Sequence, residues 1–209
     1  KHFINWYFFT YILIHSIKSA DSAESLAEIR KEMMPLIEQI FEEEGQAESL
    51  TRLITEIHDQ ITCRLIELGL VEMENEGRGG TPSEFSWMGM GSEGRREQTV
   101  ITDQDNALIF KDPGPERLSQ TRQWFLDFAE KVVSSLEICG FPRCRGNTMA
   151  INPELCLTEE EWLKLFGGIL QKPTSEALLK AGIYFDFRSL YGKHELVEKL
   201  HNKLMDLSP

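Results

Sequence analysis

Asp103 and Asp105, one residue apart, and Gly91-Ser92 with Arg95 and Arg96 just behind are the residues of this chain best suited to chemistry. An apolar segment, Phe85 to Met90, precedes the Gly-Ser pair, and another, Asn106 to Phe110, follows the aspartates. Side chains alternate faces along a strand, so Asp103 and Asp105 point one way and Gln104 the other. Two carboxylates on one face repel, and without compensation one takes up a proton. A divalent cation removes the conflict. Hard oxygen donors with few histidines nearby favour magnesium or manganese over zinc. Gly91 and Ser92 offer close backbone approach and free N–H donors, while the arginines bring positive charge, which together suit a polyphosphate. The stretch reads as a site for a metal-bound nucleoside triphosphate.

Taken singly, an Asp-x-Asp is usually a solvated strand end and a Gly-Ser a plain turn. The pairing says more. Ten residues separate Ser92 from Asp103, room for a turn or short helix between neighbouring strands that reach one pocket. Further on, Ile183-Tyr184-Phe185-Asp186-Phe187-Arg188 places an aspartate in an aromatic, strand-like run. Burying that charge requires a partner, and Arg188, on the same strand face, is one reading.

A Gly-Ser turn, a spacer of this length and Asp-x-Asp on the next strand resemble the nucleotidyltransferase superfamily, which includes DNA polymerase beta and kanamycin nucleotidyltransferase. The narrower wording is Gly91-Ser92-Glu93-Gly94-Arg95, Glu97-Gln98 and Thr102-Asp103-Gln104-Asp105-Asn106. It is similar to the nucleotidyltransferase domain found in bacterial proteins beside CBS or cyclic-nucleotide-binding modules, related to the PII uridylyltransferases. The likeness runs from roughly residue 15 to the end. It implies an α+β fold: an N-terminal helical bundle, then a small mixed β-sheet flanked by helices, which we expect on one side of it. It implies Asp186 as a third acid beside Asp103 and Asp105, the three serving as catalytic residues and metal ligands. A further expectation is that Arg188 orients Asp186.

By the same resemblance, Gly91, Ser92, Gly94, Arg95 and Arg96 hold the nucleotide, with Mg2+ or Mn2+ as the cofactor. Two cations about 4 Å apart would steady the attacking and leaving oxygens, and Asp186 would help deprotonate the acceptor hydroxyl. A protein acceptor in signal transduction, CBS or cyclic-nucleotide-binding modules in the full-length chain and a cytoplasmic location are implied too. Thr102 and Gln104 stand where many superfamily members carry apolar residues; this matches the narrower group but leaves base and acceptor open. Met149-Ala150-Ile151-Asn152-Pro153 also resembles a family segment, so the nearby Arg143 and Arg145 either touch phosphate or are surface charges. Two other functions stay open: a small-molecule nucleotidyltransferase, and a regulatory module that binds nucleotide without turnover.

The chain has 209 residues, 41% hydrophobic and 27% charged, as in a soluble globular protein with ample core. A net charge of −12 argues against a duplex nucleic acid partner, because phosphate backbones demand a basic surface. Cysteines at 63, 139, 144 and 156 form no Cys-x-x-Cys and read as reduced thiols.

The elements that must position these residues follow from spacing. Phe3 to Ile14 is too short for an ordinary transmembrane helix; we expect no membrane partner and a helix packed on its neighbours, although the run mimics a secretory signal. Leu26, Ile29, Met33, Ile37 and Ile40 give a helix over 21–41, capped by Asp21 with Glu24, kinked at Pro35 and ended by Gly45. Leu50, Leu53, Ile54, Ile57, Ile61, Leu65 and Leu68 give a second, on which His58 is satisfied or exposed. Val71 to Glu84 reads as a linker. A third helix carries Trp124, Phe125, Phe128, Val132 and Leu136 as sheet packing, with Trp124 a remote candidate for a base pocket. Thr158 with Glu161 caps another, Pro173-Thr174 opens the next, and Gly192 to Leu207 reads as one more. The expected division is residues 1–75, helical; 76–192, catalytic; and 193–209, the start of a further helical region cut short.

Overall fold

The computed structural model describes residues 2–44, 47–171 and 174–207, without the side chains of 2–10, 36, 38–44, 47–50, 175–178 and 207. Gly45 and Pro173, expected at a helix end and a helix start, lie outside the described residues. Three helices come first: α1 (His2–Ser19), α2 (Ala23–Glu44) and α3 (Ala47–Asn75). Leu13 and Ile17 of α1, Leu26, Met33 and Ile37 of α2, and Leu53, Ile57, Ile61 and Leu65 of α3 are buried in one cluster. The helical spacing predicts these stripes. Among the described residues no helix is long and apolar enough to cross a membrane.

Local details correct two expectations. Ser22, not Asp21, caps α2, its Oγ accepting from Ser25 N–H at 3.3 Å. Pro35 sits inside α2, as its place in the helical pattern implies. The supposed linker from Val71 is helical as far as Asn75, which makes α3 about 43 Å long at the usual rise per residue. His58 is buried, edge-on to Phe141, with Gln98 as its polar neighbour. Burial, then the charge of Arg30, lowers its pKa to about 3, so it stays neutral.

After the loop 76–84 come β1 (Phe85–Met90), the single turn α4 (Gly91–Gly94) and β2 (Asn106–Phe110). The two strands pair antiparallel, with Phe85 opposite Phe110 and Gly89 opposite Asn106. A tight turn, in which Gly114 N–H donates to Asp112 Oδ1 at 2.8 Å, leads into α5 (Pro115–Ile138). A short strand that spacing does not reveal, β3 (Cys156–Thr158), runs parallel to β2. Next are α6 (Glu159–Gln171), α7 (Ser175–Tyr184), β4 (Phe187–Gly192) and α8 (His194–Leu207). Thr158 and Glu161 form the expected reciprocal cap of α6, at 2.9 and 3.4 Å. The sheet order is β3-β2-β1-β4, with β4 antiparallel to β1.

Helices cover both faces of the sheet, not one. Phe85, Trp87, Leu108 and Phe110 pack with α3 and α5. Their neighbours Met88, Met90, Ala107 and Ile109 pack with Trp162 and Phe166 of α6 and Leu196 and Leu200 of α8. With both faces covered, β2 reads as a nearly continuous hydrophobic run, and its alternation gives no hint of a second layer. Trp124 stacks on Phe128 and donates to Arg78 O at 3.1 Å, so it is packing and not a base pocket. One core cluster runs from α1 to the sheet, across residues 75 and 76.

Candidate active site

β1 ends against three loops. Gly91 turns the chain with φ +56°, a conformation that favours glycine. One helical turn follows, in which Arg95 N–H donates to Gly91 O at 3.0 Å and Glu97 N–H to Ser92 O at 2.8 Å. Space there is tight: a Cβ on Gly91 would come 3.4 Å from Asp105 Oδ2, and one on Gly94 would overlap the carbonyl of Asp186. The two glycines let this turn touch both acidic segments at once.

Those segments flank the end of β1 on opposite sides. Met90 N–H donates to Asp105 O at 2.8 Å, and Asp105 immediately precedes β2. Asp186 immediately precedes β4, whose Phe187 is paired with Met90.

Gln104 fixes the orientation of the paired aspartates. It is buried, and its Nε2 donates to the carbonyls of Val133 and Phe141 at 3.1 and 2.8 Å. With Gln104 turned toward α5, Asp103 and Asp105 face the other way, although the strand proper starts only at Asn106. There they meet Cys144. One donor atom from each of Asp103, Asp105 and Cys144 lies within 4.8 Å of the others. The loop carrying Cys144 is tied down by Asn106, whose Oδ1 accepts from Ala150 N–H at 2.8 Å and whose N–H donates to Thr148 O at 3.0 Å. The Met149-Ala150 segment thus braces the site.

Burial raises the Asp105 carboxyl above its ordinary 3.8; a hydrogen bond with Cys144 opposes the rise and the charge of Asp103 adds to it. Asp105 Oδ1 is buried without a hydrogen-bond partner. Two clustered carboxylates with an unpartnered buried oxygen are chemically suited to a divalent cation. The thiol of Cys144 is pushed up by burial and stays protonated. The donor set is therefore hard oxygen with one soft neighbour.

Asp186 stands apart from that cluster. Its Oδ2 is 2.6 Å from Arg95 Nη1, and the Arg95 Nε donates to Glu97 at 2.8 Å. It lies in the turn after α7, because the helix runs to Tyr184 and takes up the first two residues of the expected strand. Arg188 is not its partner. Arg188 is on β4 and forks onto Asp59 of α3 at 2.8 and 2.7 Å, with its Nε donating to Glu93 O at 2.8 Å.

Glu93 is the second surprise. It is buried over Gly89, where a Cβ would come 2.5 Å from its Cγ. Burial, reinforced by the charge of Asp59, pushes its carboxyl up to about 8, against the pull of Arg188. Arg95 and Arg96 are exposed, and Arg96 holds a left-handed φ of +60°. Arg143 is a surface charge paired with Glu130 and Glu137 at 2.6 and 3.1 Å. Sequence reading missed Cys144, Asp59 and Glu93. For Glu93 a signal existed, its place inside the glycine turn; Cys144 and Asp59 carry none that spacing reveals.

The family model described as "Putative nucleotidyltransferase DUF294" matches residues 31–176, well over half of the chain. That span includes the glycine turn, Asp103, Asp105 and Cys144, and it ends before Asp186. No curated protein matches the chain.

Proposed function

The chain belongs to the DUF294 nucleotidyltransferase family, and on that premise we propose that it moves a nucleoside monophosphate from a nucleoside triphosphate onto a hydroxyl of a protein acceptor, breaking the α–β phosphoanhydride bond and releasing pyrophosphate. One observation carries the reading. Asp103 and Asp105 converge at the end of β1, beside a glycine turn, with an unpartnered oxygen on Asp105.

Asp103 and Asp105 are the residues that would hold Mg2+ or Mn2+, with Asp186 as a third carboxylate once Arg95 releases it. A cation there supplies electrostatic stabilisation of the transferring phosphoryl group. Gly91, Ser92 and Gly94 let the backbone approach the phosphates, and Arg95 and Arg96 hold their charge. Asp186 accepts the proton of the acceptor hydroxyl. Residues 76–192 form the catalytic unit, 1–75 the helical region before it, and 193–209 open a further helical region. The reading extends to a cytoplasmic signalling protein with CBS or cyclic-nucleotide-binding modules in the full-length chain.

A second reading has its own support. The Arg95–Asp186 ion pair occupies the third acid, as expected of a module that binds nucleotide without turning it over. Incubation with labelled triphosphates, Mg2+ and cell extract separates the possibilities. A labelled protein band that disappears in Asp103→Asn supports transfer to protein. A labelled small molecule replaces that acceptor, and tight binding without any product leaves the regulatory module.

A further inference from the structure

The two halves of the site are joined by a segment with little structure of its own. Residues 95–105 lie between α4 and β2 and contain no helix or strand. Ile101, within that segment, is 89% exposed, so the loop is not organised by a core of its own. Yet the glycine turn and the paired aspartates must keep a fixed separation to act on one substrate, because a misplacement of about 1 Å costs about a hundredfold in rate. What fixes the separation comes from elsewhere in the chain.

One hold is on the turn itself. Glu93 O, inside α4, accepts from Arg96 N–H at 3.2 Å and from Arg188 Nε at 2.8 Å. The other two nitrogens of that guanidinium are committed to Asp59 of α3, at 2.8 and 2.7 Å. The fork onto Asp59 sets the plane of the guanidinium, and the plane sets where Nε points. Gly94 leaves no room for a Cβ against the carbonyl of Asp186. Arg188 thus locks the turn, the start of β4 and α3 to one another.

A second hold is on the far end of the segment. Arg30 of α2 donates from Nη2 to Val100 O at 3.2 Å, and its guanidinium carbon lies 4.4 Å from the centre of the Phe141 ring. Between the two holds, Gln98 is buried at 3% exposure beside His58, the residue before Asp59. Arg30, His58 and Asp59 all belong to the helices that precede residue 76.

We propose that Arg188, aimed by Asp59, and Arg30 are positioning residues: they hold residues 93–100 so that the glycine turn and the Asp103–Asp105 pair engage one substrate together. Neither needs to touch that substrate. The inference rests on the transfer reading for what the site does, and on geometry alone for what holds it. It makes the helical layer of residues 1–75 part of the machinery. A shift of α3 against the sheet moves the turn through Asp59, while Asp103 and Asp105 stay with Gln104, which is anchored to Val133 O and Phe141 O.

The test compares Arg188→Lys and Arg30→Met with the parent in the intact chain, after urea unfolding establishes that each folds. Lysine keeps a charge opposite Asp59 but cannot serve that carboxylate and Glu93 O at once, so Arg188→Lys separates positioning from stability. Its Arg96 and Glu97 amides should exchange hydrogen about tenfold faster than the parent's, the effect of about one lost hydrogen bond. Mn2+ affinity without nucleotide, followed by electron paramagnetic resonance, should match the parent in both variants. Affinity for the α,β-methylene analogues of ATP and UTP in the presence of Mn2+ should fall about tenfold in each. Asp59→Asn should reproduce Arg188→Lys, and the double variant should be no worse than either, since both act through one contact. Parental amide exchange in Arg188→Lys, or parental analogue affinity in both variants, overturns the proposal. So does an equal loss of Mn2+ and analogue binding, which would mark a general softening of the fold. A parent that binds neither analogue, with amides that still loosen in Arg188→Lys, keeps the hold on the turn and removes the transfer reading.

Discussion

Arg95 Nη1 sits 2.6 Å from Asp186 Oδ2, an ion pair between the glycine turn and the residue before β4. Both side chains are about two-fifths exposed, at 41% and 40%. Such a pair contributes at most about 1 kcal/mol to stability. Arg95→Met and Asp186→Asn should therefore unfold at nearly the parental urea concentration while differing in kinetics. Arg95→Met should raise KM for the triphosphate about tenfold, the loss of a charge-assisted phosphate contact. Asp186→Asn should lower kcat by about a hundredfold or more, as for loss of a general base. Identical kinetic defects in the two variants would mean that Asp186 does no more than hold Arg95.

Asp103→Asn and Asp105→Asn should each abolish metal-dependent transfer, with folding intact, because neither carboxylate is needed by the core. Near-parental turnover in either would remove it from the site. Cys144 offers a finer probe. Its sulfur is the soft donor of the cluster, so Cys144→Ser should weaken Cd2+ binding and leave Mg2+ binding unchanged. Competition between the two ions, read by titration calorimetry, checks this.

The fork of Arg188 onto Asp59 ties β4 to α3 beneath the site, with side chains only 15% and 12% exposed. Burial raises the Asp59 carboxyl, and the hydrogen bond and charge of Arg188 pull it back. Removing one partner leaves the other charge buried, at about 3–5 kcal/mol. Arg188→Leu and Asp59→Leu should each be strongly destabilised in urea unfolding. The double variant should lose clearly less than the sum of the two.

Glu93 makes stability depend on pH in a predictable direction. Its carboxyl rises from 4.5 to about 8 on folding, so the native state binds the proton more tightly than the unfolded chain. The associated stability is complete below pH 4.5 and is lost as pH climbs through 8. Glu93→Gln keeps a neutral side chain of the same size and should flatten that decline. Urea midpoints at pH 6 and pH 9 give the readout, and the variant should be the more stable of the two proteins at pH 9. A parent whose midpoint is constant over that range would show Glu93 already charged in the native state.

Much of this architecture is written locally. The stripes of α2, α3 and α5 and the α6 cap follow from period and from residues within a few positions of one another, and β1 and β2 are apolar runs that adjoin in sequence order. Asp103 and Asp105 could be placed on one face because Gln104 alternates with them. What failed depended on distant partners. Arg188 looks like the companion of Asp186 when only neighbours in sequence are counted, yet α3 delivers Asp59 from 129 residues away. Tyr184 and Phe185 carry strand-forming side chains, but α7 claims Tyr184. β3 is three residues long, too short for any periodicity. Helices on both faces of the sheet leave no alternation to read. Cys144 is ordinary by spacing and reaches the aspartates only because Asn106 holds the loop that carries it.

The order β3-β2-β1-β4 has a bearing on how the protein is born. Its middle hairpin is made of neighbours and can pair while the ribosome is still at work. Both outer strands come later, and the segment bearing Asp186 comes last of all. A nascent chain therefore carries Asp103 and Asp105 for 81 residues of synthesis before Asp186 follows, and the sheet is complete only once that closing edge has docked.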